Sequence, residues 1–483
     1  MYVNGQGVQA SAELAVAWYR MAASSGLEQA QYNLGVMYQK GQGVEQDLAQ
    51  AIDWYERAAI QGYAPAQYNL GWLYAKGQGV PADVARALHW FTAAAEQGEA
   101  GAQHNLGMMF ETGKGVAPDQ DAAVMWYRRA AEQGYARSQF ALALRYDSGH
   151  GVPRDPGQAL AWLRKAAAQG HAPAQFNLGL RYDKGQDVTQ DSAQALLWYG
   201  RAAEQNHASS QFNLALIHDS GHGVPRDESL ALTWYWRAAT LGHAGAQNSL
   251  GMRHEHGRGV EADPAQAAIW YRRAADQSLP AAQYHLAQLL DAGNGIDQDA
   301  AQAVGWYRKA AEQGHLRAQF DLGQHYENGA GVEPDSLAAL GWYRRAAAQG
   351  YAPAQYMVGA LIDRLDAGSP VEAADWLHKA ADQGHTLAQF ELGLRYDCGK
   401  GVERDYEAAH FWYLGAARQG HARAQFNLGV MYAAGQGAPR DLVEAYAWLH
   451  RAGALGVTPA HDYLKKVTRK MAPQMLEQAE RLL

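Results

Sequence analysis

Carboxylates recur along this 483-residue chain at one register: Glu111, Asp147, Asp183, Asp219, Glu255, Asp291, Glu327, Asp363 and Asp397. Such a column could attract a basic partner. It could equally accept hydrogen bonds from the loop that follows each acid. One of these is needed, because a carboxylate near a helix C-terminus opposes the helix dipole. A second column is amide: Asn33, Asn69, Asn105, Asn177, Asn213 and Asn427. Lys40, Lys76 and Lys184 lie seven residues after three of these. Seven residues is two helical turns, so each lysine shares its asparagine's face, and the pair could hold a partner's carboxylate. The alternative is that the asparagine orders the neighbouring helix. A third column is aromatic: Tyr32, Tyr68, Phe140, Phe176, Phe212, Tyr284, Phe320, Tyr356, Phe390 and Phe426, interrupted at His104 and Asn248. It reads either as a row of peptide anchors or as packing between helices. The candidate partner-binding residues are therefore Asn33, Lys40, Asn69, Trp72, Lys76, Asn105, Asp147, Asn177, Asp183, Asn213 and Asp219.

Other chemistries find less support. His254 with His256, and His218 with His222, are spaced like metal ligands but lack a fixed third ligand, so no metal site is expected. His171, His207, His243, His315, His385 and His421 share one register after a Gln-Gly, Leu-Gly or Gln-Asn step, which reads as punctuation. No nucleophile–His–Asp order or phosphate loop is present, so no catalytic residue and no cofactor is assigned. The recurring Gly-x-Gly-Val strings join helix to helix, not strand to helix as a dinucleotide site requires.

The elements that carry these columns repeat. The Ala-Gln-aromatic-x-Leu-Gly phrase begins at Ala30, Ala66, Ala102, Ser138 and Ala174, and continues every 36 residues, with one 34-residue step after Ala354. Thirteen of the fifteen tryptophans keep a single register, from Trp18 to Trp448, and only Trp72 and Trp236 leave it. Each unit predicts two helices. Ala30, Leu34 and Tyr38 fall on one face of the first. Gly41 and Gly43 stop it. Asp47 caps the second, with Gln50 at capping-box spacing, as in Asp191/Gln194 and Asp299/Gln302. Ala51, Trp54, Tyr55, Ala58 and Ala59 make the second helix amphipathic, with the tryptophan expected to be buried. Arg128–Arg129, Arg272–Arg273 and Arg344–Arg345 fall in C-terminal halves, where cations suit the dipole, and read as a solvated face.

Bulk properties agree with an interacting body of stacked helices. Hydrophobic residues make up 48%, enough for a continuous core. A net charge of −8 argues against nucleic acid. No apolar run is long enough to span a membrane. The single cysteine, Cys398, excludes an intramolecular disulfide.

The pattern Ala-Gln-x-x-Leu-Gly-x-x-Tyr, Gly-x-Gly-Val, Asp, Trp-Tyr-x-x-Ala-Ala-x-Gln-Gly resembles the Sel-1-like repeat, a branch of the tetratricopeptide superfamily, over essentially the whole chain. The resemblance implies an all-α fold: an α-α superhelix, a right-handed solenoid of antiparallel helix pairs, whose first helices line the concave face. It also implies a non-enzymatic scaffold or adaptor that binds a protein or peptide partner in that groove. Some bacterial relatives carry paired cysteines in every repeat; this chain does not.

The expected organisation is a partial repeat over 1–29 with its second helix only, twelve tandem repeats over 30–459, and capping helices over 460–483. Tyr2, Gly5, Gly7 and Val8 match Tyr38, Gly41, Gly43 and Val44, so the chain opens inside a unit and an export signal would be lost with the missing helix. The expectation is a soluble protein, cytoplasmic or periplasmic. Two other functions fit the columns: a cell-wall or amide hydrolase with a groove site, which would show convergent polar groups with shifted pKa values, and a carbohydrate-binding or polysaccharide-assembly protein, which would expose aromatic faces.

Overall fold

A computed structural model describes residues 10–483, and these are all helix and loop, with no strand among them. The match seen at Tyr2, Gly5, Gly7 and Val8 lies outside the described residues. The chain divides into two compact units, Met1–His243 and Ala244–Leu483. Thirteen helices are described in the first and fourteen in the second. Within each unit the helices pack in consecutive pairs, each pair stacked on the next, so each unit is an all-α solenoid.

One pair shows why these residues fold this way. Helix Glu28–Lys40 ends at Gly41, whose left-handed φ of 64° lets its N–H turn back to the Met37 carbonyl. Two residues on, Gly43 lies so near the preceding pair that a Cβ would sit 2.3 Å from the Ala12 carbonyl carbon. Asp47 then opens helix Leu48–Ile60, its carboxylate accepting from the Gln50 N–H at 3.0 Å. Loss of such a cap costs about 1 kcal/mol.

The capping boxes are only half formed. The Asp47, Asp191 and Asp299 backbone N–H groups already donate to carbonyls of the previous helix, Tyr38, Tyr182 and Leu290. The glutamine three residues on therefore has no free N–H to receive. Gln302 turns instead to the Asp299 carboxylate at 2.6 Å.

The core is built one residue away from where the tryptophan register predicts. Tyr55, Tyr199, Tyr271, Tyr343 and Tyr413 are fully buried, whereas Trp54, Trp198, Trp342 and Trp412 are only half-buried and Trp18 is exposed. The glycine of the Leu-Gly step makes room for that tyrosine: a Cβ on Gly35 would lie 2.8 Å from the Tyr55 ring. Trp126, Trp270, Trp306 and Trp448 are buried as expected, the others lie nearer the edge, and many of the register carry a cation. Arg57, Arg129, Arg201, Arg273, Arg345 and Lys165 lie over the ring three residues before them, at 4.0–4.7 Å. The arginine doublets are thus not a simply solvated face: Arg129 covers Trp126 while Arg128 donates to the Tyr146 hydroxyl.

Two glutamines join the pairs. Gln67 is buried; its amide donates to the Ala59 carbonyl at 3.0 Å and its oxygen accepts from Gln97 at 2.7 Å. The arrangement recurs at Gln31/Gln61, Gln103/Gln133, Gln139/Gln169 and Gln175/Gln205 in the first unit, and at Gln247/Gln277, Gln283/Gln313, Gln319/Gln349 and Gln389/Gln419 in the second. Where the second glutamine is Leu241 or Leu455, the buried oxygens of Gln211 and Gln425 lack a partner. The unit that lacks Gly-x-Gly-Val turns in four residues: helix Ala352–Leu365 ends at Asp366, φ 49°, and Ser369 caps helix Pro370–Asp382. Past the last full pair, helices Thr458–Thr468 and Pro473–Glu480 pack on Leu442–Ala454 through Leu464, Val467 and Met475.

Candidate functional site

The acidic column is occupied from within the protein, by neither of the two expected groups. Sixteen residues after most acids stands the buried tyrosine of the next helix, and its hydroxyl donates to the acid: Tyr127 to Glu111 at 2.6 Å, Tyr199 to Asp183 at 3.5 Å, Tyr235 to Asp219 at 3.2 Å, Tyr271 to Glu255 at 2.6 Å, Tyr343 to Glu327 at 3.0 Å. Burial pushes the Tyr127, Tyr199, Tyr271 and Tyr343 phenols well above their ordinary range. A second partner comes from the following pair. Arg145 ion-pairs with Glu111, the buried Arg181 with Asp147, and the buried Arg395 with Asp363. Where the ring is replaced by Leu163 or Leu377, the acid keeps its arginine, Arg181 or Arg395. Where the acid is replaced by Ala75 or Ala433, the ring position holds Phe91 or Leu449, which need no acceptor. Gln39 stands in for an acid and accepts from Tyr55 at 2.6 Å. The column therefore satisfies most of these buried hydroxyls and guanidinium groups, each of which would cost about 1–3 kcal/mol unpaired. The buried Tyr413 hydroxyl, sixteen residues after Asp397, is the exception and lacks a hydrogen-bond partner among the described residues.

The aromatic column is packed. Phe176 lies between Tyr199 and His207, with ring centres 5.8 and 5.0 Å apart, and Phe390 between Tyr413 and His421 at 6.0 and 4.3 Å. This gives the inter-repeat histidines their place as stacking rings. Burial holds His171, His207, His243, His315, His385 and His421 below the ordinary histidine range. The exception in the column, His104, meets another exception: its Nδ1 is 2.9 Å from the hydroxyl of Ser138, at a register where only Ser210 is also serine and the other full units have alanine. Burial and the Arg137 charge bring His104 down to about 4.

The other candidates divide. Asn69 lies against the Tyr32 and Tyr55 hydroxyls, Asn213 against that of Tyr199, and Asn177 donates to the Pro173 carbonyl at 2.8 Å. Asn33 is half-buried, while Lys40 and Lys184 are exposed at helix ends. Trp72, Lys76 and Asn105 come together, lining a cavity of about 390 Å³ with Ala75, Val84, Phe91, Met108, Met109, Lys114 and Arg137. Lys76 thus meets the asparagine of the next repeat and not Asn69, seven residues before it.

A second cavity, about 540 Å³, is lined by Gln288, Asp291, Tyr307, Asp321, Gln324, His325 and Asn328. The Tyr284 hydroxyl donates to Asp321 at 3.0 Å, and burial raises the Asp321 carboxyl above the ordinary range. His325 places Nδ1 2.8 Å from the Ala330 carbonyl and Nε2 3.3 Å from Asp291. Sequence reasoning missed Phe91, Met108, Arg137, Asp321 and His325 because their registers change residue type from unit to unit and so form no unbroken column. No group of His, Cys, Asp and Glu among the described residues is arranged to hold a metal ion, and no helix among them is long and apolar enough to cross a membrane.

The Sel1 repeat matches thirteen successive segments, from 1–27 and 28–63 through to 422–457. The chain is 36% identical to the Escherichia coli protein c5321, described as a protective antigen of uropathogenic strains with an SLR fold; the match covers 89% of this chain and 93% of that one, with a TM-score of 0.74. It is 35% identical to a Sel1 repeat protein from Oxalobacter formigenes, over 64% of this chain and 91% of that one, with a TM-score of 0.48. No curated protein matches the chain.

Proposed function

The chain belongs to the Sel1 repeat family, and from that premise we propose that it is a non-enzymatic scaffold that binds segments of other proteins along its stacked first helices. The fold is one generally used for protein binding. One observation carries the reading: the recurring polar registers hold repeat to repeat, with Gln67 on Gln97, Tyr127 on Glu111 and Arg181 on Asp147. Chemistry-bearing side chains build the stack, and what they leave to a ligand is surface. The polysaccharide alternative loses its support, since the aromatic faces it would use are stacked on Tyr199, His207 and their equivalents. The test is to immobilise the full chain, identify retained proteins by mass spectrometry, and repeat binding with the purified partner by calorimetry. Saturable binding of fixed stoichiometry is expected. Turnover of peptide or glycan without stable binding of any protein would overturn the reading.

A further inference from the structure

The cavity among helices Ala64–Lys76, Val84–Glu96 and Ala100–Thr112 owes its character to a pair of residues that break the common pattern. Nine units carry an acid at the register of Ala75, and most of these place a tyrosine hydroxyl against it. Here both are gone: Ala75 is short and Phe91 has no hydroxyl, so the place of an acid–tyrosine pair is open and apolar. Trp72, Met108 and Met109 extend the apolar wall. Lys76, Lys114 and Arg137 stand at its rim, all exposed, and none is ion-paired among the described residues. No carboxylate lines the cavity, and Asn105 supplies an amide. An apolar floor with cations around it matches an apolar side chain with carboxylates around it.

We propose that this cavity seats a leucine-sized side chain of a partner's acidic segment, with flanking Asp or Glu side chains against Lys76, Lys114 and Arg137; the proposal rests on the scaffold reading above. The partner is a protein segment whose negative charge sits on both sides of one apolar anchor. The Asn105 amide, which lies against the Tyr68 hydroxyl, offers its second N–H to that segment's backbone.

The test uses the full chain and a short fluorescein-labelled peptide in which one leucine is flanked by glutamates, followed by fluorescence anisotropy. Saturable binding is expected, weakened by salt and lost when the leucine becomes alanine or the glutamates become lysines. The double variant Ala75→Glu with Phe91→Tyr rebuilds the pair seen at Glu111 and Tyr127 and fills the cavity with an acid. It should melt as the parent does and bind at least about tenfold more weakly. Should it fold poorly, Lys76→Ala with Arg137→Ala, both at exposed positions, should also lose about tenfold or more. Absence of saturable binding, or parental affinity in the folded double variant or in the Lys76/Arg137 variant, overturns the proposal. A partner protein held equally well by the folded double variant overturns this pocket alone and leaves the scaffold reading standing. A chain that holds no protein overturns the scaffold reading instead.

Discussion

The two cavities occupy the same place in the repeat, six periods apart. Ala75 corresponds to Asp291, Phe91 to Tyr307, Asn105 to Asp321, Met108 to Gln324, Met109 to His325 and Lys114 to Ala330. One hollow is apolar with a cationic rim; the other is polar with two carboxylates. The backbone is common to both, since each is bounded by one pair and the first helix of the next. Side chains at a few registers therefore decide what a hollow can bind, while the rest of the repeat keeps the hollow in being. In a repeat protein the recognition code can be rewritten at one tile without disturbing its neighbours.

That comparison can be broken in several ways. The largest effect tests whether the two positions are equivalent. Phe91→Ala and Tyr307→Ala each remove a buried ring, and each should cost about 3–5 kcal/mol in denaturant unfolding. A neutral result at either site would mean that the two hollows are not the same structural place.

Next comes acid. His104 sits beside the first hollow, and its equivalent six periods on is Phe320. The His104 pKa is lowered to about 4 by burial, by Arg137 and by His171, with Glu111 opposing. The unfolded chain takes up this proton near pH 6.5 and the folded chain only near pH 4. Stability contributed by neutral His104 is thus present above pH 6.5 and declines as pH falls towards 4, by up to about 3 kcal/mol. His104→Phe should flatten this part of the stability–pH curve, read by chemical denaturation across that window. An unchanged slope would show the histidine to be solvated.

The third test concerns the missing pair. Phe91→Tyr alone places a hydroxyl opposite Ala75 and should cost about 1–3 kcal/mol, an effect that Ala75→Glu restores. Additive losses in the double variant, measured by a mutant cycle, would contradict the acid–tyrosine account. The smallest effect belongs to the second hollow. The Asp321 carboxyl is raised by burial, so its ionised form costs stability once pH exceeds the unfolded value near 3.8. Asp321→Asn should be neutral or stabilising by less than about 1 kcal/mol at neutral pH, with the gain vanishing below pH 4 in thermal melts. A clear loss would mean that its bond from Tyr284 outweighs desolvation.

Much of this was legible in the sequence. The helix pairs, the glycine stops and the aspartate caps follow from local chemistry, because Gly41 and Asp47 act within one turn of where they stand. The roles of the columns were not legible, because their partners are distant along the chain. Glu111 answers to Tyr127 in the next helix and to Arg145 in the next pair. A signal was present all the same: a hydroxyl follows Gln39 and most of the acids at sixteen residues, and none follows Ala75 or Ala433. The tryptophan register was right only in part, with Trp126, Trp270, Trp306 and Trp448 buried and Trp54 and Trp198 half-buried, for a related reason. Periodicity shows which residues share a face but not which of two adjacent rings lies deeper, and the glycine of Leu-Gly settles that in favour of the tyrosine.

The glutamine joints have a consequence for how such a chain can change length. Most repeats bring two amides of their own, one that reads the tile before it, as Gln67 reads Ala59, and one that holds the first in place, as Gln97 holds Gln67. A copied or deleted stretch of one full period therefore arrives or leaves with its own fasteners, and the flanking tiles close on each other as interchangeable parts. The 34-residue unit shows how a partial deletion survives: its two lost residues come from the loop, and Gln383 still reaches Gln355 at 2.8 Å. Lengthening and shortening should thus be tolerated by whole tiles or within loops, and refused inside a helix, where one residue would rotate Gln31 or Gln67 away from its carbonyl.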